Sequence, residues 1–115
     1  MGTTPRVLYR AGKKSGPHFT HFRSGEITIQ TRLGVDWVLA SQGGASTLEQ
    51  KFGLNPPWWE LPAGTQFDDQ ILNLWKDFHG DRAFPPHWTW EPRVDMPLAQ
   101  YMAALAQVNA KFIPA

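Results

Sequence analysis

Short runs in which apolar and polar residues alternate recur along the chain, and each predicts a β-strand. Six segments fit this pattern or form a compact apolar run bounded by breakers: residues 6–10, 26–32, 35–39, 58–61, 71–75 and 87–91. In the last segment, a strand places Trp88 and Trp90 on the core face. His87, Thr89 and Glu91 then share the opposite face, where a site can form.

Two further segments predict helices. Ser46 and Glu49 fit the N-cap and N3 positions of a short helix that ends near Gly53. Asp95 fits the N-cap of a last helix, with Pro97 in its first turn. That last helix carries a core stripe at helical spacing, formed by Leu98, Tyr101, Met102, Leu105 and Val108. Five to six short strands with two helices predict an α+β fold.

The segments between these elements are rich in glycine and proline. Residues 11–25 and 76–86 predict exposed loops, and residues 62–65 predict a turn. The composition, with 42% apolar and 18% charged residues and six tryptophans, favours a packed core. At 115 residues, the chain is expected to form a single domain over residues 1–115.

The composition also excludes several classes of site and location. The chain has no cysteine, so disulfides, thiolate zinc sites and a cysteine nucleophile are excluded. The longest apolar run covers residues 102–106, far short of the roughly 18 residues of a membrane-spanning helix, so we expect a soluble protein. The first 25 residues are rich in basic side chains and do not resemble a secretory signal, so we expect any export to use another route.

Charge is distributed unevenly along the chain. Residues 1–32 hold six basic side chains and only Glu26 as an acid, a charge of +5, while residues 33–115 carry −4. This asymmetry predicts either an anionic ligand at the N-terminal third or two oppositely charged halves that pack together. The net charge of +1 is too small for a strong electrostatic footprint, so nucleic acid is not the expected partner.

Three groups combine best into a chemical site. Arg10, at the end of the first strand, offers a planar fork that fits a diphosphate or a carboxylate. Ser46 is predicted at a helix N-terminus, where free N–H groups favour anions, although a plain N-cap role fits equally well. His87 and Glu91 add an imidazole and a carboxylate on one strand face.

Histidine chemistry is the first alternative. His18, His21 or His87 fit the acid and base of a metal-independent nuclease, with Arg10 or Arg23 stabilising the phosphorane charge. Together with His79, the same histidines raise the possibility of a metal site. His18 and His21 lie in a breaker-rich loop with no acidic residue between them, so we assign no metal ligand.

A binding module is the second alternative. Trp58, Trp59, Trp88 and Trp90 would then form an aromatic surface for a carbohydrate or a protein partner. The alternation along residues 87–91 instead favours a core role for two of these rings.

Four short motifs occur in an order and spacing that resemble a known family. They are Leu8-Tyr9-Arg10-Ala11, then Gly43-Gly44-Ala45-Ser46, then Leu61-Pro62-Ala63-Gly64-Thr65, and finally His87-Trp88-Thr89-Trp90 followed by Met96-Pro97 and the last helix. Over nearly its whole length, the chain resembles a family of type VI secretion effector toxins. The fold of that family is related to the diphtheria-toxin-like ADP-ribosyltransferases.

The resemblance implies an NAD-dependent antibacterial toxin, an ADP-ribosyltransferase delivered into the cytoplasm of a rival cell. It also implies a cognate immunity protein, which binds the toxin in the cytoplasm of the producer. The target in the recipient cell is left open, as is the choice between transfer and simple hydrolysis of NAD.

The resemblance also assigns site residues by position. The NAD-binding residues are Tyr9, Arg10, Ser46 and Thr47, and the catalytic residues are Ser46, His87 and Glu91. Of the last two, His87 matches this toxin family better and Glu91 matches the chemistry better. Cleavage of the nicotinamide bond produces an oxocarbenium-like sugar, which a nearby carboxylate stabilises.

Overall fold

The computed structural model describes residues 1–53, 57–77 and 86–115, and strands account for most of the regular structure in them. The strands are β1 (Gly2–Thr3), β2 (Leu8–Ala11), β3 (Ile29–Arg32), β4 (Val35–Val38), β5 (Ala45–Leu48), β6 (Trp58–Leu61), β7 (Gln66–Phe67), β8 (Leu72–Asp77), β9 (His87–Pro92), β10 (Met96–Pro97) and β11 (Ile113–Pro114). One helix, α1 (Leu98–Asn109), is found in the described residues. No helix in this part of the chain is long and apolar enough to cross a bilayer.

All strand pairs are antiparallel, and they form three sheets. The largest sheet has the order β11-β6-β2-β5-β9-β8, the second has the order β10-β4-β3, and β1 pairs with β7. In the large sheet, Ser46 of β5 lies opposite Thr89 of β9, and Leu48 lies opposite His87. The neighbouring strands β5 and β9 therefore hold the Ser46 and His87 segments side by side.

The core lies between one face of the large sheet and helix α1. Tyr101, Leu105 and Val108 of α1 are buried, and the predicted helical stripe is confirmed at these positions. The Tyr101 hydroxyl accepts a hydrogen bond from the Ala45 N–H and donates one to the Trp90 carbonyl. Burial raises the pKa of Tyr101 above its ordinary value, so the hydroxyl stays protonated and joins the helix to β5 and β9.

The α+β class, predicted from five to six short strands and two helices, is wrong, because the described chain is mostly β with one helix. The error lies at Ser46, which was predicted to cap a helix but belongs to strand β5. Its strand pairs with β9 over four positions, and Ala45 and Thr47 alternate inward as buried residues. Pairing with neighbouring strands and burial of alternate side chains outweigh a local capping signal.

Most of the other predicted elements overlap elements of the structure. Predicted strands overlap β2, β3, β4, β6, β8 and β9, and the last helix begins directly after Pro97. Asp95 does not cap that helix: its carboxylate accepts hydrogen bonds from the Ala40 N–H and from Arg32. These two bonds lower the pKa of Asp95. Most of the predicted loop 76–86 lies outside the described residues.

Candidate functional site

Strands β2 and β5 separate shortly after they meet. Within the described residues they share one register pair, Tyr9 with Leu48. Beyond this pair, side chains bind the backbone groups that would otherwise continue the ladder. The Ser46 carbonyl accepts from Arg10 Nη1 at 2.8 Å, and the Ala11 carbonyl accepts from Arg23 Nη2 at 2.8 Å. A polar gap therefore opens in the middle of the large sheet, where backbone groups are satisfied by side chains.

The Glu26 carboxylate lies in this gap and accepts five hydrogen bonds. The donors are Arg10 Nη1 at 3.1 Å and Nη2 at 3.3 Å, the Arg23 N–H at 2.6 Å, the Ser46 N–H at 2.9 Å and Ser46 Oγ at 3.0 Å. Burial opposes ionisation of Glu26, but the hydrogen bonds and charge of Arg10, with the two backbone N–H groups, lower its pKa below the ordinary value. The carboxylate is therefore charged.

Arg10 is buried, with 2% of its surface exposed. Its terminal nitrogens donate to Glu26, to the Ser46 carbonyl and to the His21 carbonyl, and its guanidinium lies 5.4 Å from the centre of the Phe19 ring. Nε has no hydrogen-bond partner in the described part of the chain. Arg10 therefore holds the site together through its terminal nitrogens.

A cleft of about 240 Å³ lies against Glu26. Its lining residues are Ser24, Gly25, Glu26, Gly43, Gly44, Ser46, His87 and Thr89. Ser46 and His87 come from neighbouring strands and face the same space. His87 Nδ1 is buried and has no hydrogen-bond partner among the described residues. A Cβ on Gly44 would lie 2.1 Å from the Trp90 carbonyl oxygen, so glycine permits the close approach of β5 to β9 at this edge of the cleft.

A second cavity, of about 220 Å³, is strongly basic. It is lined by Arg10, Ala11, Gly12, Lys13, His18, His21 and Arg23, none of which is acidic. The rings of His18 and His21 are 4.7 Å apart, and His18 Nε2 lies 3.0 Å from Ser15 Oγ. Since Arg10 lines this cavity and Glu26 lines the cleft, the two spaces lie on either side of the Arg10–Glu26 ion pair.

Three of the residues assigned by the resemblance lie away from both spaces. Tyr9 lies under Lys51, with 6.0 Å between Nζ and the ring centre. Thr47 is fully buried, where it accepts from Trp90 Nε1 and bonds to the Trp88 carbonyl. Glu91 accepts from Asn73 Nδ2 at 2.9 Å and does not line the cleft. The structure thus brings Arg10, Ser46 and His87 together and leaves these three outside.

The structure also shows where most of the histidines and tryptophans of the two alternative interpretations lie. Among the described residues, no group of three or more metal-ligating side chains converges, and His79 lies outside them. Trp90 is fully buried, and Trp88 is partly buried with its Nε1 donating to Glu49. The core role predicted for these two rings is confirmed. Trp59 packs against the core and donates Nε1 to the Lys13 carbonyl.

Glu26 is a residue of the candidate site that the sequence pattern does not identify. The alternation over residues 26–32 predicts that a strand begins at Glu26, but β3 begins at Ile29. One signal was available: Glu26 is the only acidic residue among the first 32, where six basic residues surround it in sequence. A lone carboxylate in such a segment has cationic side chains nearby in sequence, and Glu26 pairs with the Arg10 guanidinium, while Arg23 binds it through its backbone N–H.

The sequence of this chain was compared with protein-family models and with curated proteins. No protein-family model matches it, and a search of curated proteins finds no match either.

Proposed function

We propose that this protein is an NAD-dependent toxin, an ADP-ribosyltransferase that uses Ser46 and His87 in the cleft beside Glu26. The observation that carries the proposal is the convergence of these two side chains from different strands next to a buried, charged carboxylate. Side chains held at fixed positions in a cleft can bind and orient a reacting sugar.

The division into two spaces favours a dinucleotide. Each space is smaller than the roughly 300–1,000 Å³ of an ordinary ligand pocket, so a ligand of NAD size would need both. The basic cavity suits the diphosphate and adenosine half, because Arg10, Lys13 and Arg23 line it. The cleft suits the nicotinamide riboside half.

The chemistry then follows from the side chains of the cleft. The bond between the ribose C1′ and the nicotinamide nitrogen breaks, and its electron pair leaves with the nicotinamide. Ser46 Oγ, which is hydrogen-bonded to Glu26 Oε2 and lines the cleft, contacts and orients the sugar while positive charge develops on it. An oxygen of the acceptor, either water or a target group, bonds to C1′, and His87 takes the acceptor's proton as general base.

The biological setting is part of the same proposal and is supported by the family resemblance. The toxin is delivered by type VI secretion and acts in the cytoplasm of the recipient cell. In the producer cell, a cognate immunity protein binds and inactivates it.

A direct assay tests the enzymatic proposal. Purified protein is incubated with NAD, and released nicotinamide is quantified for wild type, Ser46→Ala, His87→Ala and a remote surface control, Gln107→Ala on α1. We expect the two cleft variants to lose about 100-fold or more in rate, and the control to keep the wild-type rate. Wild-type protein that neither releases nicotinamide nor binds NAD in calorimetry at millimolar concentration would refute the proposal.

A nuclease is the second candidate, and one observation favours it. His18 and His21 are in ring contact within a cavity that also contains Lys13 and Arg23, an arrangement that fits acid–base cleavage of a phosphodiester. A nuclease that is expressed in a bacterium should arrest the growth of that bacterium. This candidate predicts that His18→Ala and His21→Ala abolish the growth arrest, while Ser46→Ala does not. It also predicts degraded RNA or DNA in arrested cells, whereas the NAD-dependent toxin leaves nucleic acid intact and depletes NAD.

A further inference from the structure

We propose that Glu26 is a positioning residue that fixes the Ser46 hydroxyl as a hydrogen-bond acceptor toward the cleft. The ligand group that contacts Ser46 Oγ would then be a donor, such as a sugar hydroxyl or an amide N–H. This inference rests on the proposed function and deepens it.

The direction of the hydrogen bond follows from the groups around Glu26. The carboxylate is surrounded by N–H and O–H donors, and the lowered pKa keeps it ionised, so it can only accept. Ser46 must therefore give its single hydroxyl proton to Glu26 Oε2, at 3.0 Å. What remains at Ser46 Oγ are its lone pairs, and Ser46 lines the cleft. A hydroxyl that rotates freely would not impose this polarity.

Glu26 is itself held from three sides. Its backbone N–H donates to the Arg23 carbonyl at 3.0 Å, while the Arg23 N–H donates back to Glu26 Oε1 at 2.6 Å. A Cβ on Gly43 would lie 2.6 Å from the Glu26 carbonyl oxygen, so the backbone before β5 passes directly over this turn. Arg10 fixes the carboxylate from β2. The loop, β2 and β5 therefore meet at one side chain.

Glu49 offers a matched control. Its side chain is as buried as that of Glu26, with 9% exposed in each case, and it also sits in a network of donors: Trp88 Nε1, Lys76 and Arg6. It lines neither the cleft nor the basic cavity. Glu49→Gln shows how the loss of a charge with low exposure affects the protein away from the cleft. Glu26→Gln removes a charge of similar exposure beside the cleft, so the difference between the two variants reports on the site.

The experiment is a double-mutant cycle on nicotinamide release, with Glu26→Gln, Ser46→Ala and the double variant, alongside Glu49→Gln. If Glu26 acts through the Ser46 hydroxyl, Glu26→Gln lowers kcat/KM about 100-fold in the wild-type background and has little further effect when Ser46 is already alanine. Stability, measured by urea unfolding, is expected to fall in Glu26→Gln in both backgrounds, because Arg10 and the backbone N–H groups lose a charged acceptor whether or not Ser46 is present. Glu49→Gln is expected to keep kcat/KM.

Each outcome separates the inference from the proposed function. Equal activity losses from Glu26→Gln in both backgrounds, or a loss no greater than that of Glu49→Gln, overturns the positioning role while the NAD reaction stands. Wild-type protein without nicotinamide release overturns both. If Glu26→Gln does not fold, Glu26→Asp replaces it: the shorter carboxylate keeps the charge but cannot reach Ser46 Oγ and Arg10 together, and unaltered kcat/KM in that variant would contradict the inference.

Discussion

The Arg10 guanidinium and the Glu26 carboxylate form an ion pair with 3.1 Å between Nη1 and Oε2, and their side chains are only 1% and 9% exposed. The pair spans the gap between β2 and β5, with Arg10 lining the basic cavity and Glu26 lining the cleft. A buried pair of this kind gains its stability from geometry and from the extra hydrogen bonds around it. The Ser46 and His21 carbonyls and the Ser46 and Arg23 N–H groups supply those bonds.

Removal of the cation should be strongly destabilising. Arg10→Met is expected to lower the free energy of unfolding by about 3–5 kcal/mol, because it leaves the Glu26 carboxylate buried without its counter-charge. Urea denaturation followed by tryptophan fluorescence measures the change. Arg32→Met, which breaks the exposed Arg32–Asp95 pair, is the matched control and should have a far smaller effect. Equal losses in the two variants would show that the buried pair contributes nothing special.

Stability should fall in acid through Glu26. Because the folded-state pKa of Glu26 lies below its ordinary value, its contribution is complete above the unfolded pKa of about 4.3 and is lost as the pH falls through the lowered folded pKa. The stability gap between wild type and Glu26→Gln should therefore be widest near neutral pH and narrow below about pH 4. Urea unfolding of both proteins across this range measures it. A gap that does not change with pH would mean that folding does not shift the pKa of Glu26.

Substitution of Thr47 should lower the stability of the protein without changing its rate of NAD cleavage. Thr47→Val keeps the shape of the side chain but leaves Trp90 Nε1 without its acceptor in the core, which is expected to cost about 1–3 kcal/mol. Thermal denaturation measures this loss, and the rate of nicotinamide release should be unchanged once the protein is folded. A fully stable Thr47→Val protein with impaired NAD turnover would return Thr47 to the binding site.

Gly44 should resist even the smallest side chain. In Gly44→Ala, the Cβ would meet the Trp90 carbonyl oxygen at 2.1 Å, so β5 and β9 must shift apart, at a cost of about 1–3 kcal/mol or more. Gly34→Ala is a useful comparison, since a Cβ there meets nothing within 4 Å and the cost comes only from its φ of +77°, about 1–2 kcal/mol. Circular dichroism melts of the two variants test the difference. A Gly44→Ala melt equal to that of wild type would contradict the close approach.

Much of the element pattern was predictable because it depends on near neighbours in sequence. The alternation of His87, Thr89 and Glu91 against Trp88 and Trp90 identified β9 and its two faces, and it did so without knowing the partner strands. The stripe on α1 identified its buried side for the same reason. The Ser46 signal misled because a capping box is equally local, while the state of that segment depends on its pairing with β9.

By itself, the sequence determined which residues alternate, which form the helical stripe and where basic side chains cluster, since periodicity and charge are properties of the chain. The tertiary structure alone decided that Glu26 fills the gap between β2 and β5, that Arg10 is occupied by protein groups, and that Glu91 turns to Asn73 while His87 joins Ser46. These relationships join residues up to 41 positions apart, as Ser46 and His87 are, and no local pattern encodes where a sheet separates. The separation arises because side chains satisfy the backbone groups of two strands better than the strands satisfy each other.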